Sequence, residues 1–361
     1  MNEVIYYNTT QLRNTKLDIP GIDNWLSMQQ LVNQQNGLVD RTDTIVFPLR
    51  TKVFTPLPNF ELPFIKTYED CAMQRMCELD EIYKSTGKSF RLFYSGGVDT
   101  TGIFAAFVGY YGIEKTSKIL ELCCSREAIV ENPWLWERYI SKYNFKLLSS
   151  HNHNYLWNDS NVISLQGETN DHLLIARGSL SRWIIYSKGD TFKQIDKDIF
   201  YSFFQSQYGM SDLVISLLEK VLNKAPFELT TMPQIYWWLT MSLSYDAMML
   251  QSLSGNANGH LKEVDLTNGF PLFFKTIDFE KCSAYYVQTR SKELMATYKY
   301  PTKDLIKKYL NIPEYDVKGK HHSFGRIQSL IKTGVLIDSS LEIKYNLTDF
   351  MDYMEPNNSF V

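Results

Sequence analysis

Apolar positions follow two different periods along this chain. From Phe90 to Tyr94, FRLFY, they run on almost unbroken and stop at SGGVDTT; from Thr101 onward they recur at helical spacing to about residue 110. The pattern predicts a strand, a turn over Ser95 to Thr100, and a helix. Ahead of it, YEDCAMQRMCELDEIY (Tyr68 to Tyr83) has apolar residues at helical spacing, and STGK ends that helix. After it come a strand at KILELCC (118–124), a helix from near Pro133 to Tyr143, and strands at FKLLSS (145–150) and NVISLQG (161–167). Strands alternating with helices predict an α/β fold, a parallel sheet flanked by crossover helices.

Beyond about Ser179 the strand signals fade. Segments 209–223, 232–253, 278–297 and 302–310 read as helices, and their Met, Trp and Tyr stripes read as core. Residues 1–65 are polar and rich in Asn and Gln, then extended and proline-punctuated through TDTIVFPLRTKVFTPLPNFELPF, which predicts a small, partly β appendage. The expected organisation is therefore an appendage over 1–65, an α/β core over 66–200, and a mostly helical substrate-side region over 201–361.

Composition narrows the class. With 44% hydrophobic residues the chain can bury a sizeable core, and a net charge of -3 gives no electrostatic footprint for nucleic acid. No apolar run approaches the roughly 20 residues that span a bilayer, and the start MNEVIYYNTTQLRN lacks a signal-peptide profile, so a cytoplasmic protein without a membrane partner is expected. The five cysteines, Cys71, Cys77, Cys123, Cys124 and Cys282, form no CxxC pair; Cys123 and Cys124 read as small buried hydrophobes. HNHN at 151–154 sits in a polar loop without a spaced partner cluster, and reads as loop rather than as a metal site.

The candidate chemistry lies in SGGVDTT. The first N–H groups of a helix lack partners and carry the positive end of its dipole, so a turn entering a helix grips anions. Gly96 and Gly97 leave the backbone open, and Ser95, Thr100 and Thr101 add hydroxyl donors. The plainer alternative is a Gly-rich turn with Asp99 or Thr100 as N-cap. It is not a Walker A loop, because GxxxxGK[ST] and its lysine are absent.

In the order strand, SGGVDTT, helix, the chain resembles the N-type ATP pyrophosphatases, or PP-loop family, whose SGGxDS/T loop holds the pyrophosphate end of ATP. A second stretch, VISLQGETNDHLLIARG (162–178), resembles the asparagine synthetase motif in which a strand ends in G-E-G-x-D-E. Gly167, Glu168 and Asp171 match it; Thr169 replaces a glycine and His172 replaces the final glutamate. A third, from PLFFKTIDFEK to KGKHHSF, resembles the closing region of asparagine synthetases with its loop lysine; Lys320 is the candidate, Lys318 an alternative, and Phe324 lies one residue beyond the family spacing.

This resemblance, over roughly residues 68–325, implies the adenine nucleotide alpha hydrolase-like sheet and the cofactors ATP and Mg²⁺. It implies a nucleotide site at Ser95, Gly96, Gly97, Val98, Asp99, Thr100, Thr101, Leu122 and Gly167, metal ligands Asp99 and Asp171, and catalytic roles for Glu168 as proton acceptor and Lys320 in stabilising charge. Asparagine synthetases begin with the cysteine nucleophile of a glutaminase domain, whereas this chain begins MNEV. The nitrogen is accordingly expected from ammonia or an amine, from the substrate itself, or from a separate amidotransferase partner. The implied activity is an ATP-dependent ligase that adenylates a small-molecule or peptide carboxylate, releases pyrophosphate and transfers the acyl group to nitrogen. The alternatives are a PP-loop enzyme that modifies a nucleobase or tRNA, and a catalytically silent homologue acting as a binding protein.

Overall fold

The computed structural model describes residues 20–32, 38–45, 53, 55–61, 63–149, 156, 159–175, 189–247 and 272–316. In chain order the elements are α1 (Ile22–Val32), α2 (Tyr68–Thr86), β1 (Phe90–Tyr94), α3 (Val98–Tyr111), α4 (Ile113–Ile119), β2 (Leu120–Cys124), α5 (Arg126–Glu131) and α6 (Pro133–Leu135). A π-helical turn (Trp136–Ile140), β3 (Leu147–Ser149), β4 (Ile163–Leu165), α7 (Asn170–Leu173), α8 (Lys197–Tyr208), α9 (Asp212–Leu222) and α10 (Met232–Leu239) follow. A second π turn (Thr240–Ser244), α11 (Ile277–Ala296), α12 (Tyr300–Leu310) and a 3-10 turn (Pro313–Asp316) complete the list.

Two compact units interleave along the chain: residues 73–167 with 302–361, and residues 1–72 with 168–301. Each unit thus draws on separated stretches, whereas the three regions expected from sequence are consecutive.

The first unit contains a parallel four-stranded sheet in the order β3-β2-β1-β4. Every residue of β1 and β2 is buried, as strands covered on both faces require. Two of those buried positions are charged, and they neutralise each other: Arg91 and Glu121 are register partners, joined at 2.8 Å, with Asp159 on the same guanidinium at 3.0 Å. Phe90 and Phe107 pack edge to face at 5.1 Å, seating α3 on the sheet. The succession β1, β2, β3 runs outward on one side of β1, while β4 pairs on the other side. The carboxyl ends of β1 and β4 are therefore a topological switch point, the place where open α/β sheets hold ligands.

In the second unit, helices gather around Trp237, Trp238, Phe273, Phe274 and Phe279, each at most 1% exposed. The indole N–H groups are satisfied, Trp237 by Ser283 Oγ at 2.7 Å and Trp238 by the Val221 carbonyl at 2.7 Å. Among the described residues of the expected appendage there are no β strands: they form α1, turns and irregular backbone. That backbone runs along the second π turn, where Val39 and Arg41 N–H donate to the Leu243 and Ser242 carbonyls at 2.9 and 2.8 Å. A π turn leaves carbonyls without their helical donors, and here Val39 and Arg41 supply them. Arg41 is buried with Asp246, Lys275 and Glu280, with Glu280 at 2.8 Å from Arg41 and Lys275 at 2.9 Å from Asp246, so the buried charges balance.

Candidate functional site

The loop between β1 and α3 is shaped by its first glycine. Gly96 has φ +77, the left-handed region, and a Cβ there would stand 2.4 Å from the Ala128 carbonyl oxygen. Gly97 is the N-cap of α3 and has no side chain to cover the first turn. The helix starts at Val98, earlier than the Thr101 expected, so Asp99 and Thr100 are first-turn residues and neither is the N-cap. Thr100 closes the loop from inside: its hydroxyl accepts from Ser95 N–H at 3.3 Å and donates to the Gly97 carbonyl at 3.4 Å. Gly97 N–H in turn donates to Ser95 Oγ at 3.3 Å, and Ser95 is exposed.

Gly167, two residues past β4, lies against this loop. A Cβ at Gly167 would come within 2.8 Å of Asp99 Cβ and 3.2 Å of Thr100 N. The structure thus brings Ser95 to Thr101 and Gly167 together at the switch point. Leu122 is fully buried in mid-strand, its N–H held by the Lys146 carbonyl at 2.9 Å, so its side chain belongs to the core.

Beneath the loop is a buried polar network that sequence reasoning did not find. Asn132 Nδ2 donates to Tyr94 Oη at 2.9 Å and to Thr101 Oγ1 at 3.2 Å; Tyr315 Oη lies 2.9 Å from Thr101 Oγ1 and donates to the Gly96 carbonyl at 3.0 Å. Proton counting fixes every direction. Tyr315 spends its one proton on the carbonyl, so Thr101 donates to Tyr315, and Tyr94, at 3.2 Å, donates to Thr101. Burial pushes both phenol pKa values up, which keeps them protonated donors. Asn132 Oδ1 accepts from Leu135 N–H at 3.1 Å, which orients the amide. No local signal announces this network, because Asn132 and Tyr315 are 31 and 214 residues from Thr101 in sequence.

The second motif continues into the helical unit. Glu168 is exposed. Thr169, in place of the glycine of the resembling motif, adopts φ +79 and is 1% exposed, so the backbone keeps the glycine conformation with a threonine in it. Asp171 is 44% exposed and its Oδ1 is held by Lys299 Nζ at 2.5 Å and Tyr298 Oη at 3.0 Å. Lys299 itself is 2% exposed and was not foreseen as part of the motif.

His172, at the glutamate position, is neutral. Burial, with Lys299 and Lys275 nearby, pulls its pKa down to about 4 against the opposing pull of Asp171. Its Nδ1 is buried without a hydrogen bond, and its ring meets Tyr245 edge to face at 6.3 Å.

Lys320, Lys318, Phe324 and the HNHN stretch lie outside the described residues. Among the described residues there is no cluster of three or more His, Cys, Asp or Glu able to hold a metal ion. No helix there is long and apolar enough to cross a membrane. Three described cysteines are poor nucleophiles: the Cys71 thiol is pushed far up by its contact with Cys282 and by burial, and burial pushes Cys123 and Cys124 up to about 12. No family model, curated protein or solved structure matches this chain.

Proposed function

We propose that this protein is an ATP-dependent ligase of the asparagine synthetase type. The observation that carries the reading is the loop: a left-handed Gly96, a Gly97 N-cap opening α3, and Gly167 pressed on Asp99, all at the switch point of a parallel sheet. Such a loop suits an anion, since it combines glycines without side chains, hydroxyls and a helix N-terminus. The left-handed backbone at Thr169, where the resembling motif carries glycine, supports extending the likeness to that motif.

In this reading Ser95 to Thr101 bind the β and γ phosphates of ATP, and Gly167 leaves room beside Asp99. Asp99, in the first turn of α3, is the carboxylate on this loop that would hold Mg²⁺; one or two carboxylates suffice, because Mg²⁺ takes its other ligands from phosphates and water. When bound, the ion supplies charge neutralisation for the leaving pyrophosphate. An oxygen of the substrate carboxylate attacks the α phosphorus, and the bond from that phosphorus to the β-phosphate bridge oxygen breaks. The amine or ammonia nitrogen then attacks the acyl carbon, AMP leaves, and exposed Glu168 accepts the nitrogen's proton.

A second reading, a silent nucleotide-binding homologue, is favoured by neutral His172 at the position of the family's glutamate. Nucleotide product analysis with small amino acids and peptides as substrates separates the two. The ligase gives AMP and pyrophosphate, and Asp99→Asn lowers the rate by orders of magnitude with the fold intact. ADP and orthophosphate overturn both readings; bound ATP without turnover leaves the second.

A further inference from the structure

The peptide between Gly96 and Gly97 is set from below by a residue far along the chain. In a trans peptide the carbonyl and the N–H point in opposite directions. The Gly96 carbonyl is drawn inward to buried Tyr315 Oη at 3.0 Å, so the following N–H, that of Gly97, faces the other way, toward exposed Ser95. Neither glycine has a Cβ to oppose rotation of this peptide, and glycine accepts φ of either sign. An inward N–H would meet the Tyr315 oxygen, which already accepts from Thr101 at 2.9 Å, and would leave the carbonyl outward, where it would repel an anion.

We propose that Tyr315 is the latch of this loop: a positioning residue whose hydroxyl, accepting from Thr101, holds the Gly96 to Gly97 peptide in its anion-accepting orientation. For its effect on affinity the proposal rests on the nucleotide-loop reading above; for the peptide geometry it does not. The latch residue belongs to the 3-10 turn Pro313–Asp316, which Arg138 ties down by donating to the Asn311 carbonyl at 2.9 Å and to Glu314 Oε2 at 3.2 Å.

The test is Tyr315→Phe, which keeps the ring and deletes only the hydroxyl, in the full chain labelled with ¹⁵N-glycine. The Gly97 amide resonance is expected to be single in the wild type and to split or broaden in Tyr315→Phe, with affinity for magnesium pyrophosphate falling about tenfold, the loss of one hydrogen bond to a buried carbonyl. Tyr94→Phe removes a hydroxyl from the same network but leaves the donor to Gly96, so it is expected to leave the Gly97 resonance single. An unchanged Gly97 amide in Tyr315→Phe, or the same splitting in Tyr94→Phe, overturns the latch. Absence of pyrophosphate binding by the wild type instead overturns the nucleotide-loop reading, and the amide then decides the latch alone.

Discussion

The Cβ that Gly167 lacks would stand 2.8 Å from Asp99 Cβ, closer than unbonded carbons approach in folded proteins. The end of β4 and the first turn of α3 therefore meet backbone to side chain, with nothing between them. Because the other nearby atoms are backbone, Thr100 N at 3.2 Å among them, neither side can swing away.

Gly167→Ala is accordingly expected to push Asp99 and the first turn of α3 out of place, at a cost of about 1–3 kcal/mol. Calorimetric titration with Mg·ATP should show lost affinity while far-UV circular dichroism stays that of the wild type. Gly97→Ala is the companion: its φ is -72, and among the described residues the close atom is Ser95 Oγ at 3.3 Å, so stability should change little. Wild-type ATP affinity in Gly167→Ala would remove Asp99 from the site.

How much of this could be read from the sequence depended on distance along the chain. FRLFY followed by two glycines announced β1 and its turn, because an apolar run and a glycine pair are both local. The helix start at Val98 was missed since Val, Asp and Thr are poor helix formers, and only the fold holds them in the first turn. KILELCC was read as strand throughout, yet Lys118 and Ile119 finish α4, a helix too short to show a period. KDIFYSFFQSQY, α8, went unread because its aromatic residues favour strands; Asp196 caps it by accepting from Asp198 and Ile199 N–H. The Tyr315, Asn132 and Lys299 contacts had no local signature and needed the tertiary structure.

The pair Lys299 and Asp171 is asymmetric, with side-chain exposures of 2% and 44%. Removing the lysine leaves a carboxylate that water can reach and Tyr298 still holds. Removing the carboxylate takes a 2.5 Å ion-pair partner from a buried ammonium, which is the costlier loss. Urea unfolding should therefore show Asp171→Asn to be less stable than Lys299→Met by about 1 kcal/mol or more. The reverse order would mean that the other contacts of Lys299, the Tyr298 ring at 5.0 Å among them, hold the ammonium without Asp171.

Thr169 carries a different kind of strain. With φ +79 it pays the left-handed penalty of a β-branched residue. Thr169→Ala keeps the penalty and loses packing. Thr169→Gly loses more packing but removes the penalty, so it should be the more stable of the two by about 1 kcal/mol. Thermal unfolding of the pair decides this, and a glycine variant less stable than the alanine variant would contradict the assigned backbone.

The last expectation concerns His172 and pH. Its folded pKa is about 4, against an ordinary value of 6.5, chiefly because burial excludes the charged form, with Lys299 and Lys275 adding to the effect and Asp171 opposing it. Between these values the unfolded chain binds a proton that the folded chain refuses, so the unfolded state gains as pH falls. The contribution of neutral His172 to stability is whole above about pH 6.5, declines as pH drops toward 4, and is fully lost below that. The loss approaches roughly 3 kcal/mol, at up to about 1.4 kcal/mol per pH unit. Carboxylates titrate in the same range, so the comparison must be with His172→Gln, which carries no charge at any pH. Denaturant unfolding from pH 7 to pH 4 should show the wild type losing stability faster than the variant, the two curves separating below about pH 6.5. Parallel curves would mean that the imidazole accepts a proton in the folded chain, and hence that the pocket beside Tyr245 admits water.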